Sequence, residues 1–239
     1  MNKCRFDLCE IDPWKIRAEL EGMAEEKYRN FAQALIPDSA QMLGVRLPGL
    51  RKLAAKIAVF NPLSYLKSDD EKYFEETMLK GFVIGLLKID QEEQLELVAH
   101  HVKRITDWSL CDSFCCSLKF ASKSQGRVWE FLMPFLQSEH PFSVRFAVVM
   151  LMDYFIDAEH LDSVLSILDD LPSDNYYVSM ATAWALSTCF VRFPDKTMRF
   201  LEVSHLDDDT YGRTLQKIVD SRRVEECAKF QIRSMRRYG

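Results

Sequence analysis

The stretch "YFEETMLKGFVIGLLK" (residues 73–88) decides the fold class, because its apolar residues recur at helical spacing. Every fourth residue is apolar, at Phe74, Met78, Phe82 and Leu86. This spacing places the four side chains on one face of an α-helix, whereas a half-buried strand would alternate apolar and polar residues. The segment therefore predicts a helix with a buried face.

The same pattern recurs along the chain with a period. Strong apolar helices are predicted to start every 34 or 35 residues, near Lys72, Asp107, Pro141, Asn175 and Asp209. Each is followed by a shorter helix, such as "RVWEFLMPFL", "LDSVLSILDDL" or "DKTMRFLEVS". A repeated two-helix unit of this length is typical of HEAT-like α-solenoids. We predict an all-α solenoid of about six repeats, curved around a concave groove, with an irregular helical bundle as the alternative.

Composition indicates one folded domain, residues 1–239, in the cytoplasm. Hydrophobic residues make up 48% of the chain, and no Ser/Gly-rich or Pro-rich tract reads as a linker. The N-terminus "MNKCRFDLCEIDPW" carries charges within its first ten residues and lacks the apolar run of a signal peptide. The longest apolar stretches are too short to span a bilayer. We expect a soluble monomer without a membrane partner.

Cysteine spacing argues against a metal site. The seven cysteines include no C-x-x-C pair, although Cys111, Cys115 and Cys116 follow His100 and His101 in the sequence. Without a secretion signal, free thiols are expected. We predict no metal, no disulfide and no cofactor.

The formal charge of −5 argues against indiscriminate nucleic-acid binding, because Lys and Arg supply most of that affinity. The charge is uneven, since residues 211–239 contain eight Lys and Arg but three Asp and Glu. A solvated last helix explains this tail more simply than a phosphate-contacting patch, which is the alternative.

The stretch "TDWSLCDSFCC" (residues 106–116) places Trp108 and Asp112 four residues apart. Residues at this spacing lie on the same face of a helix, one turn apart. From spacing alone the pair is either a core tryptophan with a polar neighbour or a site.

Two further helices carry candidate residues. In "PFSVRFAVVMLMDYF", Arg145 is a lone charge near the start of the helix. Three arrangements are open: its guanidinium forms an ion pair with Asp112 or Asp153, extends to solvent, or binds an anionic ligand. In "YYVSMATAWALSTCF", Trp184 has small neighbours. We expect its ring to fill the gap to the next repeat, with the wall of an open cleft as the alternative.

The stretch "MLGVRLPGLRKLAAKI" (residues 42–57) predicts a loop and a helix start flanked by Arg46, Arg51 and Lys52. Backbone N–H groups at a helix start, together with nearby cations, can contact a phosphate. An ordinary capped helix with a solvated basic face is the commoner arrangement.

Taken together, the helical repeats, "GVRLPGLRKLAAKI", "DWSLCDS", an arginine in the next repeat and a tryptophan in the one after resemble the DNA alkylation repair family of HEAT-like DNA glycosylases, the AlkD type. The resemblance covers about residues 26–237. It implies excision of N3- or N7-alkylated purines from duplex DNA, without a metal and without extruding the base into a pocket.

The resemblance also implies roles for individual residues. Trp108 and Asp112 correspond to the family's catalytic Trp and Asp, Trp184 to its second Trp, and Arg145 to an Arg that holds a phosphate. A family tyrosine that approaches the lesion would fall at Tyr28. Further contacts to DNA are expected from Arg46 and Lys119, with additional cations at Lys103, Arg104, Lys123 and Arg127.

Two other functions remain open at this point. One is a DNA-binding repair protein of the same fold without catalysis. The other is a HEAT-like scaffold for protein partners, which the net acidity favours.

Overall fold

A computed structural model describes residues 12–36, 41–68, 70–171 and 174–237. The chain divides into two compact units, Met1–Phe120 and Ala121–Gly239, each considered by itself below. The described helices of unit 1 are α1 (Pro13–Gly22), α2 (Glu26–Leu35), α3 (Leu47–Phe60), α4 (Pro62–Leu66), α5 (Phe74–Leu86), α6 (Gln91–Val102) and α7 (Trp108–Cys115). Those of unit 2 are α8 (Gln125–Leu136), α9 (Pro141–Tyr154), α10 (Leu161–Asp169), α11 (Tyr176–Arg192), α12 (Pro194–Val203), α13 (Asp208–Asp220) and α14 (Glu226–Ser234). A 3₁₀ turn covers Lys119–Lys123.

The all-α repeat prediction is confirmed, and no strand occurs among the described residues. The first helices of successive repeats are α5, α7, α9, α11 and α13, and each begins within two residues of the position that the sequence predicted. The second helices are α6, α8, α10, α12 and α14, and each is shorter than its first helix except α8, whose 12 residues exceed the 8 of α7. The single-domain organisation over residues 1–239 stays a prediction.

Local sequence sets where these helices begin. Proline stands at the first helical position of α1, α4 and α9, where its missing N–H costs nothing and its fixed φ suits the helix. Asp107 caps α7 and Asn175 caps α11, each accepting hydrogen bonds from two backbone N–H groups of the first turn.

In unit 1, α5 and α7 lie side by side and run in the same direction. A Cβ atom at Gly81 would lie 3.0 Å from Cδ2 of Phe114, and one at Gly85 would lie 2.5 Å from the carbonyl oxygen of Ser117. Moving from Gly81 to Gly85 along α5 corresponds to moving from Phe114 of α7 to Ser117 just after it, so the two helices are parallel. Their N-terminal ends therefore lie at the same edge of the unit.

In unit 2, α9 forms the centre of the core, since residues 142–152 are all buried. The next two first helices, α11 and α13, pack against each other and share a buried hydrogen bond of 2.7 Å between the hydroxyls of Ser179 and Thr210. The unit thus stacks α9, α11 and α13 in chain order.

Candidate functional site

The start of α7 is set by Asp107, which is buried. Its Oδ1 accepts hydrogen bonds from the backbone N–H of Ser109 at 2.8 Å and of Leu110 at 3.0 Å. An aspartate in this position satisfies backbone donors that the helix cannot pair internally. Trp108 consequently occupies the first helical position in a defined orientation.

Trp108 and Asp112 lie one turn apart on the partly exposed face of α7. The other face is buried through Leu110, Cys111, Phe114 and Cys115. The helix therefore separates its residues by role: the cysteines belong to the core, whereas the indole and the carboxylate both reach solvent. A ligand at this surface can contact an aromatic face and a negative charge together.

His101 of α6 supports α7 from behind. Its ring lies edge-on to Phe114, with 4.5 Å between the ring centroids, and its side chain is buried. Burial, followed by the charges of Lys80 and His100, lowers the pKa of His101 to about 3. The imidazole is neutral at physiological pH and serves packing.

In unit 2, Arg145 is 6% exposed and donates a hydrogen bond of 2.9 Å from Nη1 to the carbonyl oxygen of Tyr177 on the next first helix. A backbone carbonyl therefore orients this guanidinium. A carbonyl partner was not among the arrangements that the sequence suggested, because every residue has a backbone carbonyl and side-chain patterns do not indicate which one lies near Arg145.

Trp184 is 37% exposed, although its neighbours Ala183 and Ala185 are fully buried. The expectation that its ring fills the gap to the next repeat is therefore wrong. The two alanines let α11 approach its neighbours closely while the indole remains accessible to a ligand.

A family model described as DNA alkylation repair enzyme matches residues 16–221. The chain belongs to the DNA alkylation repair enzyme family. Searches of curated proteins and of solved structures returned no match. The family assigns the chain to DNA alkylation repair and makes DNA its expected partner.

In this member of the family, the structure brings Tyr28 and Arg46 together. The guanidinium carbon of Arg46 lies 4.8 Å from the ring centroid of Tyr28, within the range of a cation–π contact. Nε of Arg46 also donates to both carboxylate oxygens of Glu25, at 2.9 and 3.0 Å. The hydrogen bond from Arg46 lowers the pKa of Glu25. Glu25 was missed from the sequence, because nothing in its spacing links it to Arg46.

A carboxylate from α5 fills the loop before α3, where an ordinary helix start was the commoner expectation and a phosphate contact the alternative. Oε1 of Glu75 accepts hydrogen bonds from the backbone N–H of Gly44 at 2.7 Å and of Val45 at 3.1 Å, and its Oε2 accepts from Leu43 at 3.0 Å. Glu75 is buried on α5. The carboxylate of Glu75 thus occupies three backbone donors of the loop, so they are not open to a phosphate.

The other candidate cations differ in availability. Lys119 is exposed at the start of the 3₁₀ turn. Arg104 forms an ion pair with Glu71, and Arg127 lies 3.8 Å from Glu130. Lys119 stays a candidate for DNA contact because its side chain is exposed, and Arg104 is half-buried in its ion pair with Glu71.

Three further observations bear on the expectations from composition. No group of three His, Cys, Asp or Glu side chains in the described parts of the chain is arranged to hold a metal ion. Five cysteines of those parts are free thiols, and Cys4 and Cys9 lie outside them. Among the described helices, none is both long and apolar enough to cross a bilayer.

Proposed function

We propose that this DNA alkylation repair enzyme is an AlkD-type DNA N-glycosylase, which hydrolyses the N-glycosidic bond of N3- or N7-alkylated purines in duplex DNA. The observation that carries the proposal is the pair of Trp108 and Asp112, which is partly exposed on one face of α7 in a member of this family. No metal or other cofactor takes part in the proposed reaction.

The chemistry suits this pair. Alkylation at N3 or N7 leaves the purine cationic and already a good leaving group, so catalysis mainly requires stabilisation of the oxocarbenium-like sugar. A carboxylate near C1′ stabilises that positive charge and orients the attacking water. The face of an indole attracts the cationic sugar and base. Asp112 would take the first role and Trp108 the second.

Residues of unit 2 would complete the reaction in the proposed mechanism. Arg145, already oriented by the carbonyl of Tyr177, would hold a phosphate of the lesion strand. The exposed ring of Trp184 would contact the lesion or its sugar. In unit 1, Tyr28 would approach the lesion, while Arg46 and Lys119 would contact the DNA backbone. Trp108 and Asp112 lie on the surface of a helix and not in a deep pocket. They could therefore act on a base that stays in the duplex.

Base release from DNA carrying 7-methylguanine and 3-methyladenine tests the proposal. The wild-type chain should release the free bases, and Asp112→Asn should slow release by about 100- to 1000-fold, which is typical for removing one electrostatic contact to a transition state. The matched control is Asp162→Asn, because Asp162 is an exposed aspartate on α10.

Both variants should keep the circular dichroism and the melting temperature of the wild type, since Asp112 is not part of the buried face of α7. Two results would contradict the proposal. One is wild-type protein that binds the alkylated duplex at low salt but releases no base, which would indicate DNA binding without catalysis. The other is equal release by the wild type and Asp112→Asn.

A further inference from the structure

Helix α2 has an apolar face that the described structure leaves uncovered. None of its residues, Glu26–Leu35, is buried, whereas every other described α-helix buries at least one side chain. Phe31 is 61% exposed and Leu35 is 52% exposed. Tyr28, Phe31 and Leu35 follow one another at helical spacing, and we refer to them as the α2 ridge. An exposed ridge of this kind indicates a binding surface.

Close backbone contacts fix the N-terminal end of α2, which carries the ridge. Gly44 has a φ of 87°, and a Cβ atom there would lie 2.7 Å from Cβ of Arg29 and 2.6 Å from the carbonyl oxygen of Glu25. The backbone N–H of Glu25 also donates to the carbonyl oxygen of Gly44 at 3.1 Å. Since Glu75 holds the same loop, the start of α2 is anchored to α5 through buried hydrogen bonds.

Tyr28, at the N-terminal end of the ridge, lies at the same edge of unit 1 as Trp108. The helices α3 and α5 run in one direction, because Val45 contacts Glu75 near their starts and Arg51 lies over the Phe82 ring one to two turns later. The N-terminal ends of α3, α5 and α7 consequently share an edge. Neighbouring helices are about 8–10 Å apart, so Arg46, just before α3, lies about two such spacings from the start of α7, and Tyr28 of the ridge stacks on Arg46.

Charge around the ridge fits a polyanion. Its basic neighbours are Lys27, Arg29 and the guanidinium of Arg46 stacked on Tyr28, and its acidic neighbours are Glu25 and Glu26. The two acids pair with Arg46 and Arg29 through exposed contacts, which are weak and exchange readily with phosphate. Exposed aromatic and aliphatic side chains beside stacked cations are the arrangement that binds nucleic acid through both bases and backbone.

We propose that the α2 ridge is a wedge for duplex DNA. Phe31 and Leu35 enter the minor groove and unstack one base step, while Arg46 holds the neighbouring phosphate. This proposal rests on the proposed function and deepens it. A wedge kinks the duplex toward the major groove and opens the minor groove, where C1′ of an unflipped nucleotide becomes accessible to the carboxylate of Asp112. Two helix spacings correspond to about six base pairs at 3.4 Å each.

The test uses the full chain carrying Asp112→Asn, so that the DNA remains intact. Duplexes contain one 7-methylguanine and one 2-aminopurine, placed in turn at each of the six positions on either side. Binding should raise the 2-aminopurine fluorescence at one position. Adding Phe31→Ala should abolish the rise and weaken binding about tenfold, since stacking on an aromatic side chain is lost. Phe31→Trp should preserve both.

Phe230→Ala is the matched control, because Phe230 is 73% exposed on α14 and belongs to the other unit. It should leave fluorescence and affinity unchanged. Phe31 is already exposed, so Phe31→Ala should melt at the wild-type temperature. An unchanged fluorescence rise in Phe31→Ala would overturn the proposal. A second result would also overturn it: Phe31→Ala changes the sedimentation of the protein without DNA but leaves the fluorescence response to DNA unchanged. That result would assign the ridge to contact between copies of the chain.

Failure of this inference is distinguishable from failure of the proposed function. The fluorescence signal reports unstacking and needs no base release. A chain that unstacks the duplex through Phe31 but releases no base supports the wedge and contradicts the glycosylase. A chain that releases base equally with and without Phe31 supports the glycosylase and contradicts the wedge.

Discussion

At the scale of single residues, burial separates the polar groups that can meet a ligand from those that support the fold. Asp112 reaches the surface of α7, whereas Glu75 and His101 lie in the core of the same unit. Glu75 retains hydrogen-bonded partners for both carboxylate oxygens, as a buried carboxylate requires. His101 has no charge to bury, because its imidazole is neutral in the folded chain.

The buried imidazole predicts a loss of stability in acid. In the unfolded chain His101 takes a proton near its usual pKa of 6.5, but in the folded chain its pKa is lowered to about 3, mainly by burial. Between these values the unfolded state binds more protons, so the free energy of unfolding falls as the pH falls, by up to about 1.4 kcal/mol per pH unit from this group. Urea unfolding at pH 7 and pH 5 measures the fall.

His101→Gln should reduce this pH dependence, because the variant cannot bind the proton. His140→Gln is the control, since His140 is exposed and should leave the pH dependence unchanged. If His101→Gln lost as much stability between pH 7 and pH 5 as the wild type, the assignment of His101 as a neutral, buried residue would be wrong.

At the scale of elements, small residues set how closely the first helices approach. Gly85 of α5 stands against the backbone of Ser117 just after α7. Gly212 lies within α13 with nothing near the position of a Cβ atom. Both glycines are helical, so the intrinsic helix preference for alanine is the same, and only the tertiary contact differs between them.

The two glycines should consequently respond with opposite signs. Gly212→Ala should raise the free energy of unfolding by about 0.5–1 kcal/mol, because alanine is the better helix former. Gly85→Ala should lower it by about 1–3 kcal/mol, because the new methyl group would overlap the carbonyl oxygen of Ser117. Urea denaturation of both variants provides the comparison, and stabilisation by Gly85→Ala would contradict the close approach of α5 and α7.

At the scale of the whole molecule, a net charge of −5 must be reconciled with a DNA partner. Some cations are already paired with half-buried or buried carboxylates, as Arg104 is with Glu71. Binding must therefore depend on a limited number of accessible cations. We expect weak affinity at physiological salt and a modest dependence on ionic strength.

Lys119→Gln tests one of these cations. If Lys119 contacts a phosphate, the slope of log affinity for duplex DNA against log salt concentration should become shallower by about 0.9. Lys196→Gln should leave the slope unchanged, since Lys196 on α12 of unit 2 is not a proposed contact. Equal slopes for Lys119→Gln and the wild type, measured by fluorescence anisotropy over a salt series, would remove Lys119 from the DNA-binding set.

Much of the architecture follows from short-range sequence. Pro141 and Asn175 mark helix starts by their own backbone and side-chain chemistry, and the 3.6-residue period determines which face is buried. The helix carrying Trp108 and Asp112, and their common face, followed from a spacing of four. These features involve residues within a turn or two of each other, and each could be derived from the sequence before any contact was known.

The sequence by itself determined the helices, their repeat and the Trp108–Asp112 pair, because these depend on local backbone geometry. Only the tertiary structure decided that Glu75 occupies the loop donors and that Arg145 bonds a carbonyl in the next repeat. The same holds for the exposure of Trp184 and Phe31. Such properties depend on residues about thirty or more positions away, or on which faces neighbouring helices cover, and helical periodicity carries no information about either.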